Sequence, residues 1–117
     1  MAAKKNPAQL ARQARDLVED FNRVVLDVAK GLSAPALSDA VQALKSLVER
    51  LPQAFGQTAD VLEFLAAGDR VTVEQGRDAK REVATTAAEL RAVAADSEQL
   101  ARSLSDPASA LFMRGGR

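Results

Sequence analysis

Three carboxylates at helical spacing are the first residues whose types could support chemistry. Asp16 and Glu19 stand three residues apart, and Asp20 follows directly. On an inward helix face such a group could hold a cation or move a proton, and metal sites of this kind in helical bundles usually add a His at i+3. The chain contains no His, and these acids flank the apolar stripe of their segment. The pattern therefore favours a solvated face.

A nucleophile would have to be a Ser, Thr or Lys, because the sequence contains no Cys, His, Trp or Tyr. Without Cys and His, the chain has no disulfides, no thiolate chemistry, no Cys/His zinc site and no imidazole-assisted nucleophile. Lys45-Ser46 and Thr85-Thr86 have no catalytic motif around them, and the six Gly form no phosphate-binding loop. We therefore expect no enzyme activity, no catalytic residue, no cofactor and no metal.

Basic side chains are concentrated near the two ends of the sequence. Residues 1–15 carry four basic residues and no acid, and the last four residues are Arg-Gly-Gly-Arg. Such segments could touch lipid or nucleic-acid phosphates. Over the whole chain, however, 16 basic and 16 acidic residues cancel, so we do not expect a nucleic-acid partner. Residues 1–6 and 114–117 are predicted to be disordered ends.

The secondary structure predicted from the sequence, which would position any site, is helical throughout. Strong helix formers dominate, and the few Pro and Gly residues separate three apolar stripes of helical period. Asn6-Pro7 is a typical start, Gly31 a typical end, and Thr72 with Gln75 has the spacing of a capping box. No stretch alternates as a strand would. The predicted helices cover 7–30, 35–67 and 72–104, with a short helical turn over 107–113.

Pro52 interrupts the second predicted helix without breaking its stripe. Leu44, Leu51 and Leu65 keep one seven-residue register across the proline. A tight loop would usually reset such a register, whereas a proline inside a helix bends it. We therefore favour a single helix kinked near Pro52. A short break over 52–56 is the alternative.

Two helices of equal length joined by a short connection predict an antiparallel hairpin. With the first helix packed along it, the chain would be an all-α, elongated antiparallel three-helix bundle with coiled-coil-like packing and a single domain over 7–113. The seam of the last helix alternates small residues with Leu and Val, so the helices could approach closely. Two neighbouring pairs leave the seam residue open: Val93 or Ala94, and Leu100 or Ala101.

Apolar residues beside the main stripes predict a surface for a partner. A slim bundle does not need such wide apolar faces, whereas pairing with a second copy or with another protein would use them. Leu111-Phe112-Met113 follow the last long helix and could dock a partner or fold back over the end of the bundle. The residues predicted to contact a partner are Val18, Val25, Leu47, Val61, Phe64, Leu111, Phe112 and Met113.

Two faint resemblances point to lipid-associated proteins. Residues 99–113 are similar to the end of the helical tail in some bacterial MCE lipid-transport proteins, where a helix runs into an Asn/Asp-Pro-Ser-x-Leu-Leu-Phe-Gly stretch. In this sequence Ala108 precedes Ser109, and Met113 stands in place of that Gly. The Ala-rich, aromatic-poor composition also resembles phasin-type granule-coat proteins. We assign the chain to neither family.

The sequence as a whole predicts a non-enzymatic helical protein–protein interaction module, a small subunit, adaptor or scaffold in a homo- or hetero-oligomer. The alternative is an amphipathic protein that binds a lipid, membrane or granule surface, which the mixed-charge polar faces and the absence of Trp favour less. The first residues lack the apolar core of a secretory signal, and no apolar run approaches the ~18–20 residues of a membrane span. We expect a cytoplasmic protein, and the excess of Arg over Lys is typical of bacteria with GC-rich genomes.

Overall fold

The structure, a computed structural model, describes residues 6–28, 31–68, 70–71 and 78–114, the last three of them by their backbone alone. The chain divides into two compact units, Met1–Ser33 and Ala34–Arg117. No strand occurs in the described ranges, which confirms the all-α class. The helices are α1 (Pro7–Asp27), α2 (Ala34–Glu49), α3 (Leu51–Ala67), α4 (Ala79–Ser103) and α5 (Ser105–Arg114).

The first unit contains α1, and its predicted start is confirmed. The Asn6 side chain accepts a hydrogen bond from the backbone N–H of Ala8 at 2.8 Å, and Pro7 occupies the first turn. The helix ends at Asp27, with Val28 as its C-cap, and so stops short of the predicted end at residue 30. The β-branched residues in its last turns lower its helix propensity. The predicted end at residue 30 rested on Gly31 and did not include this effect.

In the second unit, α2 and α3 form one arm that bends at Arg50. Arg50 keeps helical dihedral angles, φ −91° and ψ −13°, so the interruption is a kink and the loop alternative is wrong. Pro52 has no N–H to offer the carbonyl one turn earlier. The Arg50 guanidinium donates hydrogen bonds to the Ser46 carbonyl at 2.7 Å and to its Oγ at 2.8 Å, which stabilises the carbonyl end of α2.

The other arm consists of α4 and α5, with a second interruption at Leu104. Asp78 is the N-cap of α4 and accepts hydrogen bonds from the backbone N–H groups of Lys80 at 3.0 Å and Arg81 at 3.4 Å. The predicted capping box over 72–75 lies outside the described residues. Leu104 keeps helical dihedral angles, φ −78° and ψ −13°, and α5 begins at Ser105, earlier than the predicted turn.

The two arms pack as the predicted hairpin. Helix α3 lies along α4, and α2 packs against α4 and α5. The interior is made of small side chains, and among the described residues no large side chain is fully buried. The packing of the first helix along this hairpin concerns the relation between the two units and stays a prediction. The buried residues are Ser38, Ala59, Ala66, Val83, Ala87, Ser97, Ala101 and Ala108.

The structure shows which residue of each open pair lies in the seam of α4. Ala101 is buried and Ala94 is half-buried, whereas Val93 and Leu100 are exposed. The distance between helix axes depends on the side chains at the contact, and small ones permit the shortest distances. Ser97 fits such a seam because its hydroxyl donates a hydrogen bond to the Ala94 carbonyl at 2.8 Å.

Gly56→Ala is expected to raise the free energy of unfolding by about 0.5–1 kcal/mol, because Gly in a helix interior has the larger backbone entropy to lose. Gly56 lies inside α3, and a Cβ placed on it would meet no neighbouring atom within 4 Å. Urea denaturation measures the effect. Ala54→Gly, at an exposed position of the same helix, is the matched control and should lower the stability by a similar amount. A loss of stability in Gly56→Ala would show that this turn has no room for a methyl group.

Candidate protein-interaction surface

One side of the hairpin is marked by an ion-pair cluster between its arms. The guanidinium of Arg91 in α4 donates to the Asp60 carboxylate of α3 at 2.8 Å and also to the Glu63 carboxylate. Arg91 therefore fixes the register of α4 against α3. Sequence reasoning missed this cluster, since the partners are about thirty positions apart and no local spacing signals them.

The charges of this cluster stabilise each other at the protein surface. The hydrogen bond from Arg91 lowers the pKa of Glu63 below its usual value, and the hydrogen bonds to Glu63 and Asp60 raise the pKa of Arg91. All three side chains are exposed to water, which screens their attraction. The cluster thus positions the two helices, and the pKa of Glu63 is lowered, whereas a general acid needs a raised one.

The lowered pKa of Glu63 predicts an acid-dependent loss of stability. The ionised carboxylate stabilises the fold at every pH above its unfolded pKa of about 4.3, and this contribution disappears as the pH falls through the lower folded value. Thermal unfolding followed between neutral pH and about pH 3 should therefore show a steeper acid decline in the natural protein than in Glu63→Gln. Arg91→Gln should remove the same part of the decline. Equal pH profiles in all three proteins would contradict the role of this hydrogen bond.

The side turned away from Arg91 is apolar. Val61 precedes Glu63 by two residues and Val93 follows Arg91 by two, and two residues of an α-helix turn by about 200°. Val93 therefore points away from Arg91, and Val61 points away from Glu63 and about 100° away from Asp60. The side chains of Val61 and Val93 are 55% and 43% exposed. Leu100, seven residues after Val93, continues the stripe of α4 and is 52% exposed.

The α2–α3 arm continues this apolar surface. Leu47 stands fourteen residues before Val61, which is two heptads, and is 40% exposed. Phe64 follows Val61 by three residues and Asp60 by four, so it lies at the border between this surface and the ion-pair cluster, and it is 69% exposed. We call the set Leu47, Val61, Phe64, Val93 and Leu100 the apolar surface of the hairpin.

Three of these five residues were predicted from the sequence to contact a partner: Leu47, Val61 and Phe64. For Val93 and Leu100 the sequence left open whether they or the neighbouring alanines form the seam. The signal that could have found them is their neighbours, because Ala94 and Ala101 are small enough for the close seam and leave the larger residue of each pair outside.

In the first unit, Leu10, Leu17 and Val24 follow one another along α1 at seven-residue intervals and are exposed. Val18 and Val25 are half-buried, and their contact with a partner stays a prediction. The side chains of α1 pair locally, with Arg15 bound to Asp16 at 2.9 Å. The helix therefore carries an apolar stripe bordered by charges of both signs.

At the end of the chain, the predicted docking segment is placed only in part. Leu111 lies in α5 and is half-buried. The side chains of Phe112 and Met113 lie outside the described part of the structure. Whether this segment docks a partner stays a prediction.

Two shallow cavities lie near the loop end of the hairpin. One, of about 260 Å³, is lined mainly by Ala66, Val83 and Ala84 with Glu63 and Lys80 at its edge, and the other, of about 300 Å³, lies beside Phe64 and Arg70. Binding pockets for small molecules have convergent polar groups. Among the described side chains no buried polar atom lacks a partner, and no three acids are grouped as a metal site. The apolar surface is therefore the stronger candidate site.

The fold and the surface together define a small all-α helical hairpin with an alanine interior and an exposed apolar side. Comparison with protein-family models, with curated proteins and with solved structures found no match for this chain. In the ranges that the structure describes, no helix combines the length and apolar character needed to cross a bilayer.

Proposed function

We propose that the chain is a non-enzymatic helical interaction module, a small subunit, adaptor or scaffold that assembles with another protein chain through its apolar surface. The observation that supports this is the inverted distribution of side-chain size in the second unit. The described part of the hairpin buries Ala, Ser and one Val, while Leu47, Val61, Phe64 and Leu100 stand in solvent.

The energetics favour covering this surface. Burying a Val, Leu or Phe side chain completely contributes about 1.5–3 kcal/mol, and each residue of the apolar surface still exposes 40% or more of its area. Burying the methyl group of an alanine contributes much less free energy. Association would bury this exposed apolar area, and a disulfide cannot add stability in its place because the sequence contains no Cys.

The surrounding charges favour a protein partner over a lipid surface. Helices that lie on membranes carry Lys and Arg along their polar face. On the hairpin, the cationic Arg91 is neutralised by Asp60 and Glu63, and in α1 Arg23 pairs with Asp20. Mixed, locally neutralised charges beside apolar stripes at seven-residue spacing are typical of helix-to-helix association. We also propose a cytoplasmic location, because a chain without Cys makes no use of an oxidising compartment.

The experiment is native mass spectrometry of the tagged chain purified gently from its own host. We expect a defined particle heavier than one 12.4 kDa chain. The double variant Val93→Gln/Leu100→Gln should dissociate it while the circular dichroism spectrum stays helical. Ala84→Gln/Ala88→Gln, two exposed positions of the same helix, is the control and should leave the particle intact.

Two results would contradict this proposal. A bare monomer would show that the apolar surface has no protein partner. A monomer that floats with vesicles, and whose flotation the Val93→Gln/Leu100→Gln variant abolishes, would favour the lipid-surface alternative. Vesicles with and without anionic lipid separate apolar insertion from attraction to charge.

A further inference from the structure

We propose that the partner on the apolar surface is a second copy of this chain, so that two hairpins form an antiparallel four-helix arrangement with a twofold axis along its length. This proposal rests on the proposed function and names the partner. Each hairpin has two helices whose apolar residues recur at seven-residue spacing on one side. A second copy has the same apolar side, so the two sides can pack against each other. Such self-complementary packing is the usual geometry of twofold dimers and of four-helix bundles.

Charge at the edges of the surface selects how the copies would be arranged. Val93 has Glu89 four residues before it and Asp96 three residues after it, so acids border the stripe of α4. Val61 has Gln57 and Phe64 at the same two spacings, and Asp60, the acid that borders Phe64, is already paired with Arg91 of the same chain. Packing α4 on the partner's α4 would bring the acids together, whereas packing α4 on the partner's α3 avoids that repulsion. The twofold axis therefore runs along the helices, and both loop ends lie at the same end of the dimer.

The available area is sufficient. From Leu47 to Phe64 the surface extends for about 26 Å at 1.5 Å per residue, and two helices side by side are about 20 Å wide. The product is about 520 Å² for each copy, or about 1,040 Å² in total, which reaches the ~1,000 Å² expected of a specific interface. The formal net charge of zero adds no long-range repulsion between copies.

Mass and cross-linking of the purified full chain test the proposal. Sedimentation equilibrium should give twice 12.4 kDa with no other component present. Because the natural sequence has no Cys, single cysteines are specific probes. The register places Val61 level with Val93, so a mixture of Val61→Cys and Val93→Cys chains should form a disulfide-linked dimer on mild oxidation. Neither variant alone should cross-link to a comparable extent.

The matched control is a mixture of Ala67→Cys and Ala84→Cys chains. Both positions are exposed, and they line the cavity of about 260 Å³ together with Glu63 on the other side of the hairpin. This mixture should remain monomeric under denaturing electrophoresis. Cross-linking of the control pair to the same extent, or of the Val93→Cys chain with itself, would overturn the proposed arrangement.

A monomeric mass would overturn the second-copy proposal itself. If the chain purified from its host then carries a different protein, the proposed interaction function remains and only the identity of the partner is wrong. If the host particle is also a bare monomer, both proposals fall. A monomer that Val93→Gln strongly destabilises would show that the apolar surface is covered within one chain, which also overturns the dimer.

Discussion

Replacing Ala87 with Leu is expected to lower the free energy of unfolding by about 1–3 kcal/mol, because extra methylene groups in a well-packed interior force neighbouring atoms to move. Ala87 is 0% exposed in α4. The register set by Arg91 and Glu63 places Ala66, also buried, at its level in α3. Two alanines opposite each other leave no volume for an isobutyl group unless the helix axes separate, and separation would weaken the whole seam.

Ala84→Leu is the matched control, three residues earlier in the same helix. Ala84 is exposed and lines the cavity of about 260 Å³, so its added side chain meets open space. Its effect should stay within about 0.5 kcal/mol. Urea denaturation of the two variants measures the difference. Equal stabilities would mean that the seam at Ala87 is not closely packed, and would remove the reason why larger residues stand outside it.

The fold was predictable wherever a local signal had a single physical meaning. Asn6-Pro7 both caps and starts a helix, and the register kept from Leu44 to Leu65 distinguished a kink from a loop. The end of α1 was not predictable from Gly31, because the helix already stops at Asp27. A glycine marks where a helix can end, and here the helix ends earlier, at a stretch whose β-branched residues lower its helix propensity.

The candidate surface was predictable on one arm and not on the other. Leu47, Val61 and Phe64 lie outside a clear stripe of larger apolar residues, so they were recognised as surplus. In α4 the choice between Val93 and Ala94 depends on how closely the helices approach, which is a property of both arms together. A single-helix pattern carries no information about that distance. The same reason explains why the ion pairs of Arg91 across the hairpin were missed.

The two helix interruptions are expected to be energetically coupled. Leu104 follows Arg91 by thirteen residues and Arg50 precedes Glu63 by thirteen, so in an antiparallel hairpin the two breaks lie at the same level. Pro52 and Pro107 each follow a break closely. Both arms are therefore interrupted at the same level, and α2 packs against α5 beyond it.

Pro52→Ala and Pro107→Ala test this coupling in a double-mutant cycle. Each of these prolines stands in the first turn after a break, so replacing it would allow the helix to run through the break and would recover part of the about 3 kcal/mol that proline costs inside a helix. One straightened arm, however, would no longer follow the other and would lose part of the α2–α5 contact. The free energy of unfolding of each single variant should therefore rise by less than this gain in helix propensity. The gain in the free energy of unfolding of the double variant should exceed the sum of the two single gains by about 0.5–3 kcal/mol. This is the range of coupling between residues that share a contact.

The control cycle pairs Pro107→Ala with Pro35→Ala. Pro35 is exposed in the first turn of α2, where proline is tolerated because that N–H has no partner within the helix. Its replacement should change the stability little and show no coupling. If Pro52→Ala and Pro107→Ala were likewise additive in urea denaturation, each arm would bend independently. The shared level of the two breaks would then have no energetic consequence, and the packing of α2 on α5 would not depend on the bends.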